Sequence, residues 1–142
     1  MSAFEGLRII DFSTGVAGPY AAMYFADHGA DVVKVEPPEG DPYRAAPGFQ
    51  TFNRGKRSVV IDLRTVQGRD TARALTRTAD VVIVDVPQHQ AHATGIDDET
   101  LRREHPRLLY LAMPPYGEHG PLVDRPASPQ LLHAASGVTE GQ

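Results

Sequence analysis

The stretch LRIIDFSTGVAGPYAAMYFADHGADVVKV, residues 7–35, alternates between two kinds of sequence pattern. The short apolar run Leu7–Phe12 predicts a β-strand and is followed by a turn of small residues. Pro19 suits the first turn of a helix and Gly29 suits its end, so a helix is predicted between them. The β-branched run Asp31–Val35 predicts a second strand. Strand, helix and strand at this spacing predict a right-handed βαβ unit.

The rest of the chain repeats this alternation. A helix capped by Thr65 is predicted to run to about Thr78, weakened by Gly68, and a shorter helix is capped by Asp97 or Asp98. Three further strands are predicted, at Ser58–Leu63, Val81–Val86 and Leu108–Met113. The nearly all-apolar fourth strand is typical of a parallel sheet that is covered on both faces. The predicted fold class is therefore α/β, with a Rossmann-like, doubly wound and mostly parallel sheet.

Composition limits the function. A chain of 142 residues is long enough for one domain and too short for two ordinary ones. The net charge of −4 argues against non-specific nucleic-acid binding, which needs a broadly basic surface. No apolar run reaches the roughly 18 residues that cross a bilayer, and the absence of Cys excludes disulfides and thiolate chemistry. We expect a cytoplasmic domain that binds neither nucleic acid nor membrane.

Ligands of doubly wound sheets bind beyond the carboxyl ends of the strands, which draws attention to the turns 13–18, 36–48, 87–95 and 114–121. The first turn contains Gly15 and Gly18 but lacks the G-x-G-x-x-G pattern of dinucleotide-binding proteins. It leads directly into a helix whose N-terminal amides can hold an anion. The two glycines are equally consistent with a tight turn that has only a structural role, and the residues alone leave both interpretations open.

The segment NRGKR, residues 53–57, places Arg54, Lys56 and Arg57 around a single glycine in an acidic chain. Such a cluster can contact a polyphosphate by charge and by bidentate hydrogen bonds. It can also be a set of charges that keeps the following apolar strand from aggregating. From the residues alone, the second interpretation is favoured.

Histidines and carboxylates give weaker signals. His89, His92 and His119 lack the further ligands of a zinc site, so no metal is predicted. Three carboxylates, Asp11, Asp62 and Asp85, lie near strand ends. Capping and turn roles are commoner there, and no catalytic residue is assigned.

Taken together, several motifs resemble one family. The segment from Gly6 to Arg44, with AGP and KVEPP, resembles the opening of the class III, formyl-CoA-transferase-like CoA-transferases. NRGKRS, TADVVIVDV, HPRLLYLAMPPYGEHGP and HAASGVTEG (residues 133–141) follow in the family's order. The chain is thus identified as resembling the N-terminal, CoA-binding portion of such an enzyme, over residues 1–142 as a partial large domain.

The resemblance implies an activity and a set of contacts. Family members transfer coenzyme A between an acyl-CoA and a carboxylic acid through an Asp nucleophile, as interlocked homodimers without a prosthetic group. Their nucleotide-binding region includes the turn after the first strand and the NRGK segment. A phosphate-facing role of Lys56 and Arg57 then outweighs the protective one. The CoA-contact residues implied here are Val16, Ala17, Asn53, Arg54, Gly55, Lys56, Arg57, Asp85 and Tyr116.

The sequence also departs from the family pattern. The nucleophilic Asp is expected roughly 30 residues beyond Gly137, so the 142 residues are expected to be inactive alone, with the small domain absent. The family's Asn after the fourth strand is Asp85 here, its following Arg aligns with Ala93, and its Ser-x-x-Gly loop becomes 112–117. Ser128 and Pro129 replace the His and Asp of the racemase branch, which argues against a racemase.

The substitution at residue 85 motivates an alternative hypothesis. Two like charges about 4 Å apart repel each other by roughly 4 kcal/mol at an effective dielectric constant of about 20. A carboxylate close to a phosphate of a polyanion would weaken binding by this repulsion. Weak CoA binding is therefore expected. The alternative to a catalytic enzyme part is a degenerate, non-catalytic half with a scaffold or dimerisation role.

Overall fold

The structure of the chain is a computed structural model, which describes residues 2–138. Its centre is a five-stranded sheet in the order β3-β2-β1-β4-β5, and every neighbouring pair is parallel. The strands are β1 (Arg8–Asp11), β2 (Asp31–Glu36), β3 (Arg57–Val60), β4 (Val81–Val84) and β5 (Leu109–Ala112). The predicted α/β class with a doubly wound parallel sheet is confirmed.

Six helices accompany the strands in the described part of the chain. They are α1 (Ala17–Asp27), α2 (Phe49–Phe52), α3 (Val66–Thr76), α4 (Gln88–Thr94), α5 (Asp98–Glu104) and α6 (Pro129–Ala135). Helix α1 begins two residues before the predicted start at Pro19. Helix α4 occupies a stretch that was predicted to be a turn. Its short sequence is polar except for alanines, and burial of Ala91 against the sheet orders it.

The two faces of the sheet are covered differently. On one face, Ala22 of α1 packs against Ile9, Val32 and Ile83. On the other face, α3, α4 and α5 cover the sheet, and each contributes one buried apolar side chain to the core: Ala72, Ala91 and Leu101. No helix within residues 2–138 is both long and apolar enough to cross a membrane.

Gly68, which is expected from the sequence to weaken α3, is required by the geometry of the first turn of this helix. Thr65 caps the helix as predicted, because its Oγ1 accepts the Gly68 N–H at 2.9 Å. A Cβ atom at residue 68 would lie 1.9 Å from the carbonyl oxygen of Asp62. Glycine is thus required here by the close approach of the preceding loop to the helix.

We predict that Gly68→Ala destabilises the protein by at least about 1–3 kcal/mol, the usual cost of overpacking. Helix propensity alone would predict a gain of about 1 kcal/mol. Urea unfolding of the variant decides between the two expectations. Gln67→Ala, at the exposed neighbouring position of the same helix, is the matched control and should change stability little. A more stable Gly68→Ala protein would contradict the packing explanation.

Candidate functional site

The strand order reverses between β1 and β4, and doubly wound sheets have their ligand-binding crevice beyond the carboxyl ends of the strands at such a switch point. The chain leaves β1 toward β2 on one side and leaves β4 toward β5 on the other. Two segments meet beyond these strand ends: the turn that follows β1, and Asp85 directly after β4. The Thr14 N–H donates to Oδ2 of Asp85 at 2.7 Å. This is the place at which doubly wound sheets bind their ligands.

The first turn, residues 13–18, is held tightly against β1 and leads into α1. Oδ1 of Asp11 accepts the Ser13 N–H at 3.0 Å and also the Ser13 hydroxyl. A Cβ atom at Gly18 would lie 2.2 Å from Cβ of Ser13, so glycine is required where the helix passes the turn. No side chain caps α1, and Val16 and Ala17 are exposed. Because Pro19 has no N–H, the helix start can offer a ligand only the N–H groups of the exposed Ala17 and of the buried Gly18.

Lys56 does not face solvent. Its ammonium group donates to Oδ2 of Asp11 at 2.8 Å, to the carbonyl oxygen of Pro19 at 2.9 Å and to Oδ1 of Asn53 at 3.0 Å. The side chains of Lys56 and Asp11 are 1% and 0% exposed. Burial lowers the pKa of Lys56, and the charge of Asp11 opposes that effect. All three N–H donors are used inside the protein, which leaves none for a phosphate.

The two arginines of the NRGKR segment lie at the other edge of the sheet. Arg57 is the first residue of β3 and forms an ion pair with Asp31, the first residue of β2. Arg54 forms an ion pair with Asp27, at the end of α1. The amino ends of the parallel strands lie at this edge, away from the first turn and Asp85.

The three cations of the expected phosphate-facing cluster do not lie together. The structure divides them between a buried ion pair and the amino edge, and the phosphate-facing role of Lys56 and Arg57 stays a prediction. Asn53 and Gly55 belong to the same turn, where Asn53 bonds Lys56 and a Cβ at Gly55 would lie 3.3 Å from Cβ of Ala26. The sequence could not reveal this, because the anionic partners of these cations lie 26 to 45 positions away.

The loop after β2 is anchored to the carboxyl edge by two further ion pairs. Lys34 and Asp41 are both buried, with Nζ and Oδ2 2.8 Å apart. Arg44 reaches back to Glu36, whose Oε1 also accepts the Ser58 hydroxyl at 2.6 Å. Burial by itself raises the pKa of Glu36, but the hydrogen bonds from Ser58 and Arg44 more than offset it and hold that pKa below its usual value.

Two exposed arginines at this edge were missed by sequence reasoning. Arg44 follows β2 and is 55% exposed, and Arg64 follows β3 and is 65% exposed. Arg64 forms ion pairs with Asp62 and Glu39. The rule that ligands bind beyond strand carboxyl ends was the signal that could have found both, because each arginine stands in a segment that follows a strand.

Asp85 is a carboxyl group of this edge that forms no ion pair within residues 2–138. Its Oδ1 atom is buried and has no hydrogen-bond partner among residues 2–138. Burial, together with the negative charge of Asp11, raises the pKa of Asp85 to about 6, against the opposing effects of the Thr14 N–H and Lys34. The carboxyl group is thus able to take up a proton in the weakly acidic range.

The remaining candidates lie around the ends of β4 and β5. A groove of about 390 Å³ is lined by Gln88, His89, His92, Asp97, Glu99, Glu118, Val123 and Asp124. Its four carboxylates make it unsuited to a polyanion. The two histidines contact carboxylates, His89 that of Asp124 and His92 that of Asp97. Tyr116 lies half-buried in the turn closed by the Gly117 N–H and the Pro114 carbonyl oxygen.

Two other sequence candidates have structural roles. Oδ1 of Asp62 accepts the Arg64 N–H at 3.0 Å, in the turn that follows β3. Ser128 caps α6, because its Oγ accepts the Leu131 N–H at 3.3 Å. Residues 139–141 of the last motif lie outside the described residues.

Comparison with known proteins now decides the family. The model of CoA-transferase family III matches residues 4–142. The chain belongs to this family. It is 38% identical, over 94% of its length, to the succinate–glutarate CoA-transferase of Agrobacterium fabrum, of which it covers 37%. It is 36% identical, over 96% of its length, to a probable fatty acyl-CoA transferase of Mycobacterium tuberculosis, of which it covers 38%.

Solved structures agree with this assignment. The orthorhombic crystal structure of Rv3272 from Mycobacterium tuberculosis superimposes with a TM-score of 0.94 at 37% identity, over 100% of this chain and 40% of that chain. A CAIB/BAIF family protein from Brucella suis superimposes with a TM-score of 0.88 at 33% identity, over 96% of this chain and 40% of that chain. This family III chain therefore spans well under half the length of the relatives it matches.

We predict that Lys56→Met destabilises the protein by about 3–5 kcal/mol, because it leaves the carboxylate of Asp11 buried without its cation. Arg57→Ala, which removes an exposed ion pair from the same segment, should cost only about 0–1 kcal/mol. Chemical denaturation of both variants measures the difference. Adding Asp11→Asn to Lys56→Met should recover part of the loss. Equal effects of the two single variants would contradict the buried role of Lys56.

We predict that Asp85→Asn stabilises the protein more at pH 8 than at pH 5. A carboxyl whose pKa is raised in the folded state contributes most stability below its unfolded pKa, and loses that contribution as pH rises to about 6. The advantage of the neutral variant should grow by about 1 kcal/mol between these two pH values. Unfolding curves of both proteins at each pH provide the measurement. A pH-independent difference would show that Asp85 titrates normally.

Proposed function

We propose that this chain is the CoA-binding, N-terminal portion of a family III CoA-transferase, and that it is catalytically inactive alone. In the proposed complete protein, CoA moves between an acyl-CoA thioester and a carboxylic acid. The CoA-transferase activities named for the relatives support this reaction class. The same proposal makes the complete protein cytoplasmic and homodimeric, with a further small domain. A CoA thioester is its substrate and not a prosthetic group.

The observation that carries the proposal is the crevice between β1 and β4. At this point the start of α1, which no side chain caps, meets the first turn, and the N–H of the exposed Ala17 is the group proposed to face an anion. Tyr116 follows β5 and lies at the same edge.

Phosphate contacts are proposed at the carboxyl edge rather than at the NRGKR segment. Arg44 and Arg64 are exposed there, on segments anchored to β2 and β3. Guanidinium groups bind phosphates bidentately, and each already has fixed carboxylate partners that orient it. CoA carries three phosphates, so their charge would compete for the exposed faces of these arginines. Arg54 and Arg57 remain the alternative contacts and are distinguished by experiment.

A non-catalytic role is the second candidate. The observation that favours it is Asp85, a buried carboxylate without a cation at the position where the crevice would receive a polyanion. If the ionised form persists in the presence of CoA, binding would be weak and the portion would serve as a scaffold or dimerisation half.

We predict that coenzyme A binds saturably to the 142-residue protein in a calorimetric titration at pH 6.0 and low salt, and that Arg64→Ala weakens binding. The loss of a charge-assisted phosphate contact, worth about 1.5–3 kcal/mol, corresponds to a decrease of roughly 10- to 100-fold. The same samples, assayed with an acyl-CoA donor and a carboxylic acid acceptor, should transfer no CoA.

Arg57→Ala is the matched control, because its side chain is 64% exposed against 65% for Arg64, and both arginines are paired with carboxylates. Weakening by Arg57→Ala alone would return the phosphate site to the NRGKR segment. No saturable heat from a sample that circular dichroism shows to be folded would favour the scaffold role. Transfer activity in a contaminant-free sample would contradict the proposed inactivity.

A further inference from the structure

The charged groups at the carboxyl edge of β1, β2 and β4 form a balanced set with one exception. Lys34 is paired with Asp41, and Lys56 is paired with Asp11. All four side chains are at most 3% exposed. Two buried cations are thus matched by two buried anions. Asp85 is the surplus carboxyl group of this set, because no ion pair within residues 2–138 involves it.

The immediate surroundings of Asp85 favour its neutral form. Its Oδ2 accepts the Thr14 N–H, but its Oδ1 is buried without a partner in the described part of the chain. A carboxylate has acceptor capacity on both oxygens, and an unpartnered buried oxygen is costly mainly when it is charged. From β1, the charge of Asp11 acts against ionisation, and from β2, the charge of Lys34 acts in favour of it. The effects of Asp11 and Lys34 on the pKa of Asp85 oppose each other, so burial decides that this pKa is raised.

An anionic ligand in the crevice would add further negative charge next to this group. A like charge nearby disfavours the ionised form of a carboxyl group, and so raises its pKa further. A ligand that raises the pKa of a group on the protein causes that group to take up protons when the ligand binds. The affinity for the ligand then falls as pH rises above the pKa that the group has in the ligand-free protein.

We propose that CoA binding to this chain is coupled to the uptake of one proton by Asp85. The inference rests on the proposed function, because it takes the crevice to be the CoA site. The proton comes from the solution, neutralises the surplus carboxylate and leaves the two ion pairs of the edge unchanged. Asp85 is in this sense a residue that sets the pH range of binding and needs no direct contact with the ligand.

The test is a calorimetric titration of the full 142-residue protein with coenzyme A, in two buffers that differ in ionisation enthalpy, at several pH values between 6 and 8. The difference between buffers gives the number of protons taken up. Because the phosphates of CoA themselves titrate near pH 6, wild type and Asp85→Asn are compared at equal pH. At pH 7.5, wild type should take up close to one proton more than the variant. The affinity of the variant relative to wild type should rise about tenfold from pH 7 to pH 8.

Asp80→Asn is the matched control. Asp80 precedes β4 at the amino edge, and its Oδ2 accepts a backbone N–H, that of Arg8 at 2.8 Å, just as Oδ2 of Asp85 accepts that of Thr14. This control should behave like wild type in proton uptake and in the pH dependence of affinity.

Two outcomes would overturn the inference in distinguishable ways. If wild type and Asp85→Asn both bind CoA with the same proton uptake, the coupling is wrong and the proposed function stands. If folded samples of both bind no CoA at any pH, the proposed function and the inference fall together. A second measurement does not depend on the variant: the carboxyl ¹³C resonance of Asp85 in wild type at pH 7.5 should move to its protonated position on saturation with CoA. A resonance that stays at the ionised position would also overturn the proposal.

Discussion

The buried ion pair between Asp11 and Lys56 connects the parts of the molecule that define its crevice. Asp11 ends β1 and also accepts two hydrogen bonds from Ser13, while Lys56 holds the carbonyl oxygen of Pro19 in α1. One pair of charges thus fixes a strand, a turn, a helix start and the segment before β3. Desolvation of two charges consumes much of their attraction, so such a pair contributes more to the choice of one arrangement than to net stability.

Charge balance at this edge leads from structure to function. Once Lys34 and Lys56 have neutralised Asp41 and Asp11, no buried cation of the described residues 2–138 is left at this edge for Asp85. A binding site that contains a carboxyl group without a cation must either bind a polyanion weakly or take up a proton when the polyanion binds. The structure makes the second solution accessible, because Asp85 is the group whose surroundings already favour protonation.

The parallel sheet also separates two basic surfaces that look alike in sequence. Arg54 and Arg57 pair with acids at the amino edge, whereas Arg44 and Arg64 stand on segments that leave the carboxyl edge. Cations in one short segment therefore need not serve one ligand. All five strands run in the same direction, so their amino ends lie at one edge of the sheet and their carboxyl ends at the other. A residue next to a strand end can therefore reach only a ligand that binds at that edge.

The sequence alone determined the five strands, the main helices α1, α3 and α5, the parallel sheet and the family, because hydrophobic periodicity and short motifs are local properties. It also identified Thr65 as a helix cap and limited a second cap to Asp97 or Asp98, of which Asp97 is the cap, since a cap acts within three residues. Only the tertiary structure decided that Lys56 is buried, that Gly68 is required by a neighbouring carbonyl oxygen and that Asp85 forms no ion pair within residues 2–138. These depend on which distant residues meet, and an ion pair between positions 45 apart leaves no local pattern in the chain.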